Sequence, residues 1–157
     1  MKKFICLLFI LSFSMNLCYS QSNNQLHDLI INSMMNRIAI IKDYQERGIM
    51  TPLKNIIFLK DNFPYDFPFS ETEKELGIVF FEKSLFHKSE LKKGIQVNKL
   101  GSIVLNNDTI TISFIDYQLR ISKNTAYLAN GGATTCKYIL NCQTKEWEKW
   151  ECRDNGI

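Results

Sequence analysis

Apolar residues between Asn23 and Arg47 recur every three or four positions, which is the spacing of one face of an α-helix. Gly48 follows directly and is a typical helix stop. The pattern predicts one long amphipathic helix over about residues 23–47, with its apolar face against a core. The residues of this apolar stripe are Leu26, Ile30, Met34, Ile38, Ile41 and Tyr44, widened by Leu29 and Ile31.

Residues 51–70 follow neither the helical nor the strand period. The apolar run Ile56–Leu59 is compatible with a short strand or with a buried helical turn. Pro64 and Pro68 exclude a helix interior and a central strand around them, so we expect an irregular segment. Its aromatic residues are predicted to cover one end of the core, or else to line the mouth of a pocket: Phe63, Tyr65, Phe67 and Phe69.

The chain from residue 76 to residue 152 is rich in β-branched and aromatic residues and alternates as antiparallel strands do. Asn106, Asn107 and Asp108 tolerate positive φ and predict a tight hairpin. A second turn is predicted at residues 130–132, where Asn-Gly-Gly stands, and a last one around Thr144.

One strand of this region changes phase. Ile110, Ile112 and Phe114 share one parity, whereas Tyr117 and Leu119 share the other. A β-bulge between residues 114 and 116 would produce this switch. A strand that is buried on both faces in its middle is the simpler explanation.

The order of elements predicts an α+β fold, with one helix packed on a curved antiparallel sheet of about five or six strands. In this order the chain resembles cystatin-like and NTF2-like cones, which wrap a sheet around a helix. The resemblance concerns architecture alone and implies no function and no site residue.

The first 20 residues have the layout of a secretory signal peptide: Lys2 and Lys3, a short apolar run, then a polar stretch that ends at Ser20. Cleavage after Ser20 would leave residues 21–157 as one domain. A retained anchor is disfavoured because the apolar run is shorter than the ~20 residues that a membrane span needs. Lipidation at Cys18 is a minor alternative. The expected location is the bacterial periplasm or the medium.

Charge argues against one class of partner. Removing Lys2 and Lys3 from the 19 Lys and Arg leaves 17 basic residues against 16 acidic ones, a net charge of +1. Such a chain has no net field toward a polyanion, so nucleic acid is not expected as a partner. Stable membrane insertion is not expected after cleavage either, because no later segment reaches a spanning length.

Three cysteines remain after cleavage, which in an exported protein allows one disulfide and one free thiol. If the last hairpin closes with a three-residue loop at 143–145, Cys136 faces Cys152 and Tyr138 faces Trp150. This register favours a Cys136–Cys152 bond, with Cys142–Cys152 as the alternative. Three unpaired cysteines that act as small core residues remain a third reading.

The sequence contains no specific catalytic, metal or cofactor motif. Asp116 is the one acid with a position that allows it to point inward, where burial would raise its pKa and suit it to general-base chemistry. Exposure to solvent is the commoner outcome and is the one expected here. Tyr117 and His87 are the other catalytic candidates. The cysteines lack the short paired spacings of a zinc site, so neither a metal nor a cofactor is expected.

Two tryptophans near the chain end have opposite parity, so one of Trp147 and Trp150 should face away from the core. With Tyr138 they are the candidate binding residues, since an outward tryptophan beside lysines can anchor a partner. The leading hypothesis is a non-catalytic module that binds another envelope or extracellular protein, or a small apolar ligand. The alternative is a small hydrolase or isomerase with a concave sheet pocket around Asp116 and Tyr117.

Overall fold

The computed structural model describes residues 25–64, 67, 69–123 and 125–156. Helix α1 covers residues 25–46, and its predicted stripe is buried. Gly48 ends the helix with a φ of 71°, and the amide groups of Ile49 and Met50 both donate to the Tyr44 carbonyl. The long amphipathic helix is therefore confirmed over the described part of its predicted range.

Six strands form a single sheet in the order β2-β1-β3-β4-β5-β6. This sheet curls strongly, with α1 packed on one face, so the predicted α+β class is confirmed. Two short helices, α2 (Glu71–Glu75) and α3 (Lys88–Lys93), lie in the connections. The strands are β1 (Ile56–Leu59), β2 (Ile78–Phe80), β3 (Ile95–Asn106), β4 (Thr109–Ser122), β5 (Thr125–Asn141) and β6 (Glu146–Gly156).

The two short strands make the sheet mixed. Strand β1 lies inside the segment 51–70 that was expected to be irregular, and it pairs in parallel with both β2 and β3. Only the pairs β3–β4, β4–β5 and β5–β6 are antiparallel, so the expectation of antiparallel strands over all of 76–152 was wrong for β2. Parallel neighbours need a crossover connection, and here α2 belongs to the connection between β1 and β2.

The strand that changes phase is buried on both faces. Ile110, Ile112 and Phe114 pack in the core beneath α1, whereas Leu119 packs in a second cluster with Ile57 and Val97 on the opposite face. Strand β4 itself carries no inserted residue. The inserted residues lie in its neighbours, between Leu100 and Ile103 on β3 and at Gly131 on β5.

The hairpin at Asn107 is confirmed, since β3 ends at Asn106, β4 begins at Thr109 and Asn107 has a φ of 53°. The turn predicted at residues 130–132 is wrong. Strand β5 runs through these residues, and Gly131 is the extra residue of a bulge opposite the step from Asp116 to Tyr117. A bulge adds local twist and bend, which fits the curl of the sheet.

The described aromatic residues of segment 51–70 pack on the core, as expected, whereas Tyr65 lies outside the described residues. Phe67 is buried, and Phe63 and Phe69 are half-buried against the same cluster. Edge-to-face contacts join Phe58 to Phe63 and to Phe114, with ring centroids 6.3 and 5.6 Å apart. Such pairs add to the stabilisation from buried area.

The predicted Cys136–Cys152 disulfide is present, and Cys142 is an exposed free thiol. The register around the bond differs from the expected one. Tyr138 faces Lys149, because the loop has four residues (142–145) and Trp150 is an extra residue on β6. The longer loop and the bulge offset each other, which restores the predicted pairing of Cys136 with Cys152.

The predicted leader, its cleavage site and Cys18 lie outside the described residues. Within the described residues, no helix has both the length and the apolar character that crossing a membrane requires. The disulfide fits an exported protein, because such bonds persist in oxidising compartments.

Replacing Cys136 and Cys152 together by alanine should lower the free energy of unfolding by about 3 kcal/mol, since the bond closes a loop of about 16 residues. Urea denaturation without reductant measures the change. Cys142→Ala is the control and should leave the midpoint unchanged. Equal midpoints for all three proteins would contradict the stabilising role of the bond.

Candidate functional site

A buried arginine is the centre of the site. Arg37 lies on the apolar stripe of α1 and is only 1% exposed. A charge at such a position is costly unless it is paired and hydrogen-bonded. The surrounding strands supply those partners.

The guanidinium of Arg37 reaches four strands. Its Nη2 donates to Asp116 on β4, and its Nη1 lies 3.3 Å from Asp154 Oδ1 on β6. Nη1 also donates to Thr134 on β5 at 3.1 Å, and Nε donates to Asn98 on β3 at 3.4 Å. Asn98 stands directly opposite Asp116, and Thr134 directly opposite Asp154, so sheet register assembles the group.

Asp116 points inward and is buried, so its expected exposure to solvent was wrong. Burial raises the pKa of Asp116, and the Arg37 guanidinium opposes that rise without cancelling it. Its Oδ2 accepts from Arg37, while its buried Oδ1 has no hydrogen-bond partner among the described residues. Buried polar atoms are nearly always hydrogen-bonded, so an unpaired buried oxygen is unusual. Oδ1 is therefore an acceptor that the described residues leave unused.

Asp154 is more completely paired. Its Oδ1 accepts from Arg37 and from Thr134, and its Oδ2 accepts from the Tyr44 hydroxyl. The hydrogen bond to Asp154 raises the pKa of Tyr44, as does the nearby negative charge. The tyrosine therefore remains a donor, and Asp154 has a supporting role in the cluster.

A pocket of about 660 Å³ opens beside this cluster, between the end of α1 and the sheet. Tyr44, Ile49 and Met50 line it on the helix side. Gln96, Gln118 and Ala129 line it from three neighbouring strands, where Gln118 stands opposite both of the others. Arg37, Asp116 and Asp154 form its inner wall, and the rest of the lining is mixed, with Ile49, Met50 and Ala129 as its apolar members.

Of the three catalytic candidates from the sequence, two, Asp116 and Tyr117, line the pocket. Tyr117 follows Asp116 on β4, but it packs against the second cluster on the other face of the sheet. His87 is exposed at the start of α3, where its backbone amide donates to Glu90 at 2.7 Å. It is not among the residues that line the pocket.

The candidate binding residues have three different environments. Tyr138 is buried, with its hydroxyl 2.7 Å from that of Ser33, so it is a core residue and presents no surface. Trp147 is half-buried against the core. Trp150 is 63% exposed at the β6 bulge, with the Lys137 ammonium 5.9 Å from its ring centroid, so the expected outward tryptophan is Trp150.

Sequence reasoning missed Arg37 and Asp154. The spacing of Ile30, Met34 and Ile41 places Arg37 on the same stripe, and a charged residue there is the signal that could have identified it. Asp154 stands beyond residue 152, where the last strand was expected to end. The extension of β6 to Gly156 brings it opposite Thr134.

Within the described ranges, no group of three or more His, Cys, Asp or Glu side chains is arranged to hold a metal ion. Comparisons of the chain with protein-family models, with curated proteins and with solved structures found no match. The likeness to cystatin-like and NTF2-like cones therefore stays an architectural analogy, and the site has to be interpreted from its own geometry.

Arg37→Met should lower the free energy of unfolding by about 3–5 kcal/mol, because it leaves two carboxylates in the wall without their cation. The matched control is Arg47→Met, at the residue that directly follows the same helix. Arg47 pairs with Asp43 in solvent at 3.1 Å, and its loss should change stability by less than about 1 kcal/mol. Urea denaturation compares the two variants, and similar losses would refute the central role of Arg37.

Asp116→Asn should change how stability depends on pH. Because the folded pKa of Asp116 is raised, its contribution to stability is complete below its ordinary value of 3.8 and is lost as the pH rises through the folded value. The wild type should therefore lose stability relative to the variant across that window in urea titrations. A difference that is constant with pH would contradict the raised pKa.

Glu151→Gln is a control of opposite sign. Hydrogen bonding to Lys137 lowers the pKa of Glu151, and Arg153 acts in the same direction. Its contribution is present above its ordinary pKa and is lost as the pH falls. The stability of this variant relative to the wild type should therefore rise on acidification.

Proposed function

We propose that the protein is an exported, non-catalytic binding module that holds a small ligand in the pocket at the end of α1. The observation that carries this proposal is the juxtaposition of an unused buried acceptor, Asp116 Oδ1, with a pocket of about 660 Å³. Pockets of this size, with an apolar lining and a few fixed polar groups, are typical of small-molecule sites. The ligand expected here is amphipathic, whereas the sequence favoured a purely apolar one.

The fixed geometry of the inner wall supports binding. Arg37 holds both Asp116 and Asp154, and hydrogen bonds from Tyr44 and to Asn98 add further restraint. A preorganised polar wall needs little reordering when a ligand arrives, which favours affinity.

Trp150 supports a second binding role, toward an envelope or extracellular protein. A bulge places this residue outward on an edge strand, and Lys137 stacks beside it. Exposed tryptophans are frequent anchors at protein interfaces. This surface is separate from the pocket lining, so the two roles are compatible.

A small hydrolase or isomerase remains the competing proposal. The raised pKa of Asp116 favours it, because a general base needs a pKa near the working pH. Two contacts weigh against it. Arg37 occupies Oδ2 of Asp116, and Tyr117, although it lines the same pocket, packs against the second cluster.

Native mass spectrometry of the protein from its host's envelope tests the proposal. A mass of residues 21–157 less two hydrogens would match leader cleavage and the disulfide. We expect a small bound mass on the wild type and its loss in Ala129→Trp, which fills the pocket. Ala126→Trp is the control on the same strand, since Ala126 stands opposite Ile121 of the second cluster.

Three outcomes would count against the proposal. A retained leader would refute processing after Ser20. A bare wild-type protein would refute a bound small molecule, and a bound polypeptide that survives Ala129→Trp would favour the role of Trp150. A small mass that persists in Ala129→Trp would place the ligand outside the pocket.

A further inference from the structure

We propose that the pocket takes a small molecule with a primary ammonium group at one end and a short apolar body, the ammonium lying against Asp116. This inference rests on the proposed function and names the chemical class of its ligand. Three features of the pocket support it. The inner wall has excess negative charge, the N–H groups of Arg37 are largely bonded to the protein already, and apolar side chains line part of the rim.

The inner wall carries excess negative charge. Two carboxylates, Asp116 and Asp154, share the single cation Arg37. The other arginine of the pocket, Arg47, stands at the rim and is held by Asp43 and by the ring of Tyr44 at 5.6 Å. A ligand cation at the inner end would restore the local balance, and low local polarity would strengthen that attraction.

Asp116 has room for a further donor. A carboxylate has about four acceptor sites, yet Asp116 accepts one hydrogen bond, from Arg37. Its Oδ1 has no partner in the described part of the chain but is itself buried, so an ammonium meets this carboxylate at the 9% of its side chain that is exposed in the pocket lining. An ammonium supplies three donors on a compact cation and suits this acceptor.

An anionic head group does not suit the site, although an arginine lies in its wall. Four of the five guanidinium N–H donors of Arg37 already serve the protein, which leaves one on Nη2. A carboxylate or phosphate would approach two fixed carboxylates without a free cation at the inner end. Arg37 therefore organises the wall and does not bind the ligand directly.

The rim accounts for the apolar body. Ile49 is 59% exposed on the helix side of the pocket, with the half-buried Met50 beside it. Ala129 lines the opposite side, on the sheet. A short alkyl or similar group would cover this surface while the polar head reaches Asp116, and burying apolar area stabilises the complex.

Three matched probes test the ligand class: hexylammonium, hexan-1-ol and hexanoate, titrated into the full mature protein. Amide chemical shifts of Asp116, Gln118 and Gly131 report binding. We expect hexylammonium to bind about tenfold more tightly than hexanol, as a charge-assisted hydrogen bond predicts, and hexanoate to bind more weakly than either. Asp116→Asn should reduce the preference for the ammonium to within about twofold. Asp28→Asn is the control with the same charge change, since Asp28 is exposed near the start of α1 and does not line the pocket, and it should keep the preference.

The outcomes separate the two proposals. Equal binding of all three probes at the pocket residues would overturn the ammonium assignment and leave the binding function standing. Shifts confined to residues outside the pocket, or none for any probe up to about 10 mM, would overturn both. An unchanged preference in Asp116→Asn would overturn the role of Asp116.

If Asp116→Asn does not fold, the preference for hexylammonium over hexanol is measured on the wild type over a range of pH instead. Alkylammonium groups titrate near pH 10, as lysine does, so the probe keeps its charge in acid. The groups that face Asp116 are Arg37 and Tyr44 of α1, Asn98 of β3, and Asp154 of β6. The tenfold preference should disappear as the pH falls and Asp116 is protonated, while hexanol binding stays constant. A preference that persists in acid would overturn the assignment.

Discussion

The pairing of Arg37 with Asp116 and Asp154 is the interaction on which the rest of the structure depends. It joins α1 to β4 at the centre of the sheet and to β6 at its edge. A purely apolar contact would let the helix slide along the sheet. A buried ion cluster with hydrogen-bonded partners has a single satisfactory arrangement, so it fixes the position of α1 over the curled sheet. The pocket exists because the helix ends at Gly48 while three strands continue beyond it.

Curvature is the second constraint, and bulges in three strands accompany it. Extra residues on β3, β5 and β6 interrupt the ladders at different heights, while β4 stays regular between its bulged neighbours. The regular strand supplies Asp116, and the bulge at Gly131 lies directly beside it. The β6 bulge turns Trp150 outward without breaking the pairing that carries Cys152 and Asp154. Bulges thus shape both candidate surfaces.

Local patterns predicted much of the fold. Helix α1, the hairpin at Asn107 and the Cys136–Cys152 bond all depend on residues near in sequence or on a single hairpin register. The parallel pairing of β1 could not be predicted, because four apolar residues are compatible with a helix or a strand, and the partner is chosen by long-range packing. Two opposite errors in the last hairpin cancelled, so the predicted disulfide was right for a partly wrong register.

The site was harder to predict than the fold. Asp116 was identified as the acid with a position to point inward, but its partners were not found, because Arg37 and Asp154 are 117 residues apart in the chain. A charged residue in an apolar helical stripe and an acid among strand hydrophobics are each ambiguous alone. Together they indicate a buried pair, and only the tertiary fold shows which acid meets which base.

The distance along the chain between those partners has a consequence for how the molecule is made. Synthesis starts at the N-terminus, so Arg37 is made long before the residues of β6. Until β6 has been made, Arg37 can pair with Asp116 of β4 but lacks Asp154, and the docking of the helix on the sheet is incomplete. Contacts between such distant residues are slow to form because the intervening loop must first be closed. The complete Arg37 cluster therefore forms only after β6 has been made, and until then apolar surface of the partly folded chain is exposed to chaperones.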